Sequence, residues 1–120
     1  RYNNMQRFVT ALENLDHYTV RFGKLEFRGR DSHGNPIFQQ KRVDILLGCD
    51  LVLLAAKQRI EKAILITGDS DFIPAIEVAK NEGVEIELVY GAAHSPHNSL
   101  KSIADVRKEL SQADIDAIKK

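Results

Sequence analysis

The chain has 120 residues and a mass of 13.5 kDa, enough for one domain with one modest core. At 43% hydrophobic and 28% charged it has the balance of an ordinary soluble globular domain. Seventeen basic residues offset seventeen acidic ones, which removes the simple case for a nucleic-acid or membrane binder built on a basic excess. A local basic face stays open: residues 1–44 carry a balance of +3, with Arg21, Lys24, Arg28, Arg30, Lys41 and Arg42 among them, and the rest carry −3. The single cysteine, Cys49, can make neither an internal disulfide nor a Cys-based zinc site, and it points to a reducing, cytoplasmic compartment. No apolar run approaches the ~20 residues that span a bilayer. The first residue is Arg1 and no signal-peptide pattern follows, so the sequence reads as part of something longer.

Met5, Phe8, Val9, Leu12 and Leu15 fall at helical spacing and predict an amphipathic helix over about 3–15. Tyr18, Val20 and Phe22 alternate with polar neighbours and predict a strand, which Leu25 and Phe27 continue beyond Gly23. Residues 29–36 collect turn formers and read as an exposed loop. A helix is expected from about Val43 to Gln58, with an apolar stripe through Val43, Leu47, Leu51 and Leu54. Ala63-Ile-Leu-Ile-Thr67 is apolar and rich in β-branched residues, as suits a strand covered on both faces. Gly68-Asp-Ser-Asp71 follows, then a helix to about Asn81 with Pro74 in its first turn and Gly83 beyond its end. Val84 to Tyr90 alternates as a further strand, and the tail from Ser99 reads as helical at least to Leu110. Strand, helix and strand with short links form a parallel crossover, and such sheets bind ligands at the carboxyl ends of their strands. The Gly-Asp-Ser-Asp turn lies at that edge.

Asp69 and Asp71 stand two residues apart between a strand and a helix amino terminus. Hard divalent cations want oxygen ligands, and phosphate chemistry needs them to neutralise charge on the attacked group. The plainer role is capping, and one of the two is expected to cap. Asp50 falls on the stripe expected to be buried, where a carboxylate is costly unless paired, hydrogen-bonded or metal-bound. Asp44 sits in the first turn of the same helix, where a capping role is sufficient. Several carboxylates close together repel one another, and a bound metal relieves that repulsion.

Lys41-Arg-Val-Asp-Ile-Leu-Leu-Gly-Cys-Asp-Leu51 resembles the Lys-x-Val-Asp-x-x-Leu-x-x-Asp-Leu signature of the NYN nucleases, members of the PIN-like superfamily that include the LabA-like proteins. Residues 63–83 are similar to the family's second signature, and Leu100 with Ala104-Asp105 resembles the Leu-x-x-x-Ala-Asp that follows its last sheet strand. The resemblance covers most of the chain from Tyr18 onward. It implies a Rossmann-like three-layer α/β/α domain with a mainly parallel sheet, and a magnesium- or manganese-dependent ribonuclease site made of aspartates. Carried over by motif, the metal ligands are Asp44, Asp69 and Asp71, with Asp50 a further catalytic candidate. The family opens with a strand ending in Asp-Gly-x-Asn, whose Asp is a metal ligand, and nothing here matches it. The expectation is therefore a single NYN domain over 1–120, incomplete at its amino end, with a second copy or a partner segment as one way to complete the sheet.

On that basis the function expected is hydrolysis of RNA phosphodiester bonds, the metal activating water for in-line attack. Lys41, Arg42 and Ser70 are candidate contacts to the RNA backbone, as are Arg28 and Arg30. The alternative is a catalytically degenerate NYN domain that binds RNA or protein. A phosphatase using Asp-x-Asp would leave the acidic helix unexplained, and replacing Asp50 separates the two enzymes. His94-x-x-His97 reads as a polar loop, and Cys49 as a small packed residue. Tyr2, Tyr18, Phe22 and Phe27 could stack on bases, although Phe22 and Phe27 belong to the apolar pattern expected of the core.

Overall fold

A computed structural model describes residues 2–118, the side chain of Tyr2 excepted, and its contacts separate Arg1–Leu46 from Leu47–Lys120. In the first unit, helix α1 runs Tyr2–Glu13. Its stripe is only half-realised as packing, since Met5 and Phe8 are exposed while Val9 and Leu12 are half-buried. Of the strand expected from Tyr18 through Phe27, residues 18–22 are not strand, and only the part beyond Gly23 is found. Strand β1 is Lys24–Arg30, and it pairs antiparallel with β2, Pro36–Lys41, which the sequence pattern did not reveal. Gly23 explains the offset: a Cβ there would collide with the Lys41 carbonyl and the Val43 side chain, so the chain enters β1 only after a residue with none.

The expected loop is an ordered hairpin turn. Asp31 Oδ1 accepts the backbone N–H groups of His33 and Asn35, each at 2.9 Å, and Arg30 Nη1 donates to the Gly34 carbonyl at 2.9 Å. The register slips between Phe27 and Arg30, where Gly29 takes φ +94° and bulges the strand. Phe27 meets Phe38 edge-on at 5.8 Å, yet it stays 56% exposed, and Phe22 is 63% exposed. Both correct the expectation that these rings are core.

Helix α2, Val43–Ala56, begins just after Arg42, whose φ of +75° breaks the chain out of β2. In the second unit its buried line is Leu51 and Ala55; of the predicted stripe only Leu51 is buried, while Val43, Leu47 and Leu54 are exposed. Gly48 faces helix α3, Ile73–Asn81, where a Cβ would meet that of Ala75 in ordinary contact at 3.7 Å. Cys49 is exposed, not packed as expected.

The sheet of this unit is parallel, in the order β3 (Lys62–Ile66), β4 (Glu85–Gly91), β5 (Val106–Leu110). Helix α4, Asn98–Ile103, links the last two strands, and α5, Gln112–Ile118, follows. Helices α3 and α4 pack against each other, as two right-handed crossovers in one direction require. Leu65, Ile86 and Leu88 join Leu51, Ala55, Phe72, Ile76, Ala79 and Leu100 in one core. This is an α/β fold with a parallel sheet flanked by helices. The two-sided cover expected for β3 is not found, because Ile64 and Ile66, on its other face, are 59% and 77% exposed.

Helix α3 ends as its sequence dictates. Gly83 takes φ +91°, its N–H donates to the Lys80 carbonyl at 2.9 Å, and the Val84 N–H donates to that of Ala79 at 3.1 Å. That pair of hydrogen bonds is the Schellman cap, which turns the chain straight into β4.

The tail corrects the largest expectation. The helix stops at Ile103, and 106–110 form a strand. Asp105 makes the switch: its N–H donates to the Ile86 carbonyl at 2.9 Å, and its Oδ2 accepts the Ile86 N–H at 2.8 Å. Lys80 closes the corner, with Nζ 3.4 Å from Asp105 Oδ1 and donating to the Ile103 carbonyl at 2.8 Å. The Ile86 N–H, then the Lys80 ammonium, hold the Asp105 carboxyl below its ordinary value. The Leu-x-x-x-Ala-Asp segment therefore precedes the last strand of this sheet and docks it.

Candidate functional site

Strand β3 ends at Ile66, and the next five residues turn at the carboxyl edge of the sheet. The Asp69 N–H donates to Thr67 Oγ1 at 3.2 Å, so Thr67 holds the turn. Asp69 is extended, at φ −89° and ψ 116°, and caps a short 3-10 turn over Ser70–Phe72. Its Oδ1 accepts the Asp71 N–H at 2.9 Å, and its carbonyl accepts the Phe72 N–H at 3.2 Å. One of the two aspartates was expected to cap, and Asp69 is the one. Phe72 is buried and anchors the turn, while Pro74 occupies the first turn of α3.

This leaves Asp69 half-buried and Asp71 exposed, with no hydrogen bond or ion pair to the Asp71 carboxylate among the described residues. Ser70 is exposed between them. Asp44 is exposed in the first turn of α2, within the first unit, and Asp50 is half-buried on α2 in the second. Asp50 does not lie on the buried line of that helix, which corrects the premise that made its burial costly.

Among the described residues, no three His, Cys, Asp or Glu side chains gather closely enough to hold a metal ion. What the turn brings together is the pair Asp69 and Asp71. That donor set has the right chemistry for magnesium or manganese, because magnesium keeps several waters and is commonly held by one or two carboxylates plus substrate phosphates.

Lys41 is half-buried at the end of β2, where it pairs in register with Lys24, and Arg42 is exposed beside it. Arg28 Nε donates to Gln39 Oε1 at 3.0 Å and Arg28 lies 3.6 Å from Glu26, so Arg28, like Arg30, ties the hairpin together. His97 is a helix cap, its Nδ1 accepting the Ser99 N–H at 3.1 Å. Sequence reasoning passed over Tyr90 and Lys101, which meet across the carboxyl end of β4. No local motif marks that pair, since it joins a strand to a later helix. No helix of the described residues is long and apolar enough to cross a membrane.

The chain is similar to the uncharacterized protein y4oD of Sinorhizobium fredii (strain NBRC 101917 / NGR234), with 29% identity over 109 residues. That match takes in 89% of this chain and 47% of the relative, so the chain spans about half the relative's length. Its fold is similar to the crystal structure of a protein of unknown function, VPA0982, from Vibrio parahaemolyticus RIMD 2210633, with a TM-score of 0.65 at 15% identity. That likeness covers 91% of this chain and 62% of the other. The model of the NYN domain matches residues 1–109, and the chain belongs to the NYN family.

Proposed function

We propose that the chain is a divalent-metal-dependent ribonuclease domain that hydrolyses RNA phosphodiester bonds at the Asp69-Ser70-Asp71 turn. NYN domains belong to the PIN-like nuclease superfamily, whose members generally bind RNA and depend on divalent metal ions. The observation that carries the reading is the pair of carboxylates on one rigid turn at the carboxyl edge of a parallel sheet, where ligands of such folds bind. Asp69 and Asp71 would hold magnesium or manganese, with Asp50 as a further catalytic candidate, while a ligand role for Asp44 rests on the motif alone. The ion supplies charge neutralisation at the attacked phosphate and a more acidic water.

The chain's own residues do the positioning. Thr67 and Asp69 fix the turn through their hydrogen bonds, and buried Phe72 anchors it in the core. Asp71 stands exposed to an incoming phosphodiester, with Ser70 beside it. Lys41 and Arg42 are proposed contacts to the RNA backbone. The family match runs across both units, which supports one NYN domain over 1–120, and a single cysteine fits a cytoplasmic setting. A second copy of the chain or a partner segment remains a proposal for completing the sheet.

The test is cleavage of an end-labelled single-stranded RNA with manganese, comparing the chain with Asp69→Asn, Asp71→Asn and a chelator control. The expected result is cleavage that chelator abolishes and either substitution lowers at least ~100-fold, as loss of a charge-stabilising group commonly does. Equal cleavage by wild type and both variants contradicts the proposal. RNA binding without cleavage favours the degenerate binding module, a reading to which the engagement of Asp69 as a cap lends some support.

A further inference from the structure

We propose that Lys101, held on the ring of Tyr90, is an RNA-phosphate subsite beside the acidic turn. The inference rests on the ribonuclease reading and extends it to residues that no motif marks. Its starting point is register. The β3–β4 ladder ends with Ile66 opposite Val89, so Thr67 and Tyr90 are the next residues on neighbouring strands. Adjacent strands lie about 4.8 Å apart, and Asp69 is two residues beyond Thr67. Tyr90 therefore stands at the same carboxyl edge as the acidic turn, one strand over.

Its ring lies on the face that α3 and α4 cover, because it alternates with the buried Ile86 and Leu88 and packs against the same core. Lys101, from the last turn of α4, reaches over that ring with Nζ 5.0 Å from the centroid. The helix that carries it is fixed at both ends. His97 caps its start, and Arg107 Nη1 donates to the carbonyls of Lys101 and Ala104 at 2.9 and 2.8 Å.

Lys101 differs from the other bound ammonium groups of this unit. Lys62 is taken by Glu85 and Glu87, and Lys80 by Asp105, while the Lys101 ammonium has no carboxylate within 4.0 Å among the described residues. A cation over an aromatic face keeps its charge, and the ring orients it without neutralising it. At the sheet edge that also carries two carboxylates, which repel a polyanion, it offers a grip for a backbone phosphate of the bound strand. Lys101 is the phosphate contact, and Tyr90 is a positioning residue that holds it.

The experiment is binding of a fluorescein-labelled single-stranded oligonucleotide RNA, read by anisotropy across a salt series. Calcium replaces manganese so that the hard cation is present without turnover. Lys101→Gln is expected to weaken binding about threefold to tenfold whatever the RNA sequence, and to lower the slope of log affinity against log salt by about 0.7, one phosphate contact on a single strand. Lys101→Arg and Tyr90→Phe are expected to bind as wild type does, whereas Tyr90→Leu weakens binding as Lys101→Gln does, with circular dichroism melts matched to wild type. Should Tyr90→Leu fail to fold, the two Lys101 variants decide the matter alone. Wild-type binding with an unchanged affinity and slope for Lys101→Gln overturns the subsite and leaves the ribonuclease reading standing. A wild-type chain with no affinity for RNA in calcium or manganese overturns both.

Discussion

The two units of the chain solve the problem of folding differently. Residues 47–118 bury a continuous core of Leu51, Leu65, Ile76, Ile86, Leu88 and Leu100 under a parallel sheet, whereas no described residue of the first 46 is buried. The hairpin of the first unit is instead held by local devices: the Asp31 turn, the Arg28 and Arg30 bonds, and one edge-on aromatic pair. Such devices fix a shape but add little stability, because exposed hydrogen bonds and ion pairs largely exchange with water. The comparison teaches where rigidity is available. The acidic turn sits on the unit with the core, and buried Phe72 ties it there.

Five substitutions test that contrast. Leu88→Ala removes a fully buried side chain from the central strand and should cost about 2–5 kcal/mol in urea denaturation. A loss no greater than that of a hairpin residue would break the comparison outright. Asp105→Ala comes next, because it leaves the Ile86 N–H without its carboxylate and frees Lys80. Its sign with pH follows from the depressed carboxyl: the contribution is complete above the ordinary Asp range, near pH 4, and is lost as pH falls through the lower folded-state value. Wild type should therefore lose stability on acidification below about pH 4 more steeply than Asp105→Ala, some of the fall remaining because Asp114 is also held low by the Ser111 N–H and hydroxyl. Equal acid limbs would show that the clasp contributes nothing to stability.

Asp69→Ala should cost about 1 kcal/mol as a lost cap, while Asp71→Ala costs much less, since the cap bond uses the Asp71 backbone and not its carboxylate. The reverse order would mean that the turn is held by something other than the Asp69 side chain. Smallest of all, Phe38→Ala should cost below about 1 kcal/mol, the scale of an exposed cross-strand pair. A larger loss would place buried packing on the hairpin where none is seen.

What the sequence made legible follows the same division. The crossover from β3 through α3 to β4 could be read directly, because an apolar β-branched run, a Pro in the first helical turn and a Gly at the cap all agree with one another. The position of the acidic turn, and that one of its two aspartates caps, were legible for the same reason, while only the turn's hydrogen bonds single out Asp69. Strand β5 was not, because Val106-Arg-Lys-Glu-Leu110 is charged, good helix-forming sequence with one apolar residue at each end. Only its ladder with β4 and the Asp105 clasp make it a strand. The hairpin was displaced for another reason: Tyr18 to Phe22 has the alternation of a strand, while Pro36 to Lys41 hides its own behind two glutamines.

Helix α2 exposes a further limit. It is apolar on nearly every side, so no stripe distinguishes the Leu51 and Ala55 line that packs from the leucines that stay open. That ambiguity placed Asp50 on a buried face where the structure does not put it. The pair formed by Tyr90 and Lys101 depends on a tertiary approach of α4 to β4, which no spacing encodes.

The central claim is that the turn at Asp69 and Asp71 holds a divalent cation. Its most direct test is paramagnetic broadening of backbone amide resonances on titration with manganese, with wild type beside the double variant Asp69→Asn/Asp71→Asn. The expected result is broadening centred on residues 67–72 and weaker at Tyr90 and Gly91, absent in the double variant. Broadening centred elsewhere, or unchanged when both aspartates are replaced, contradicts the claim.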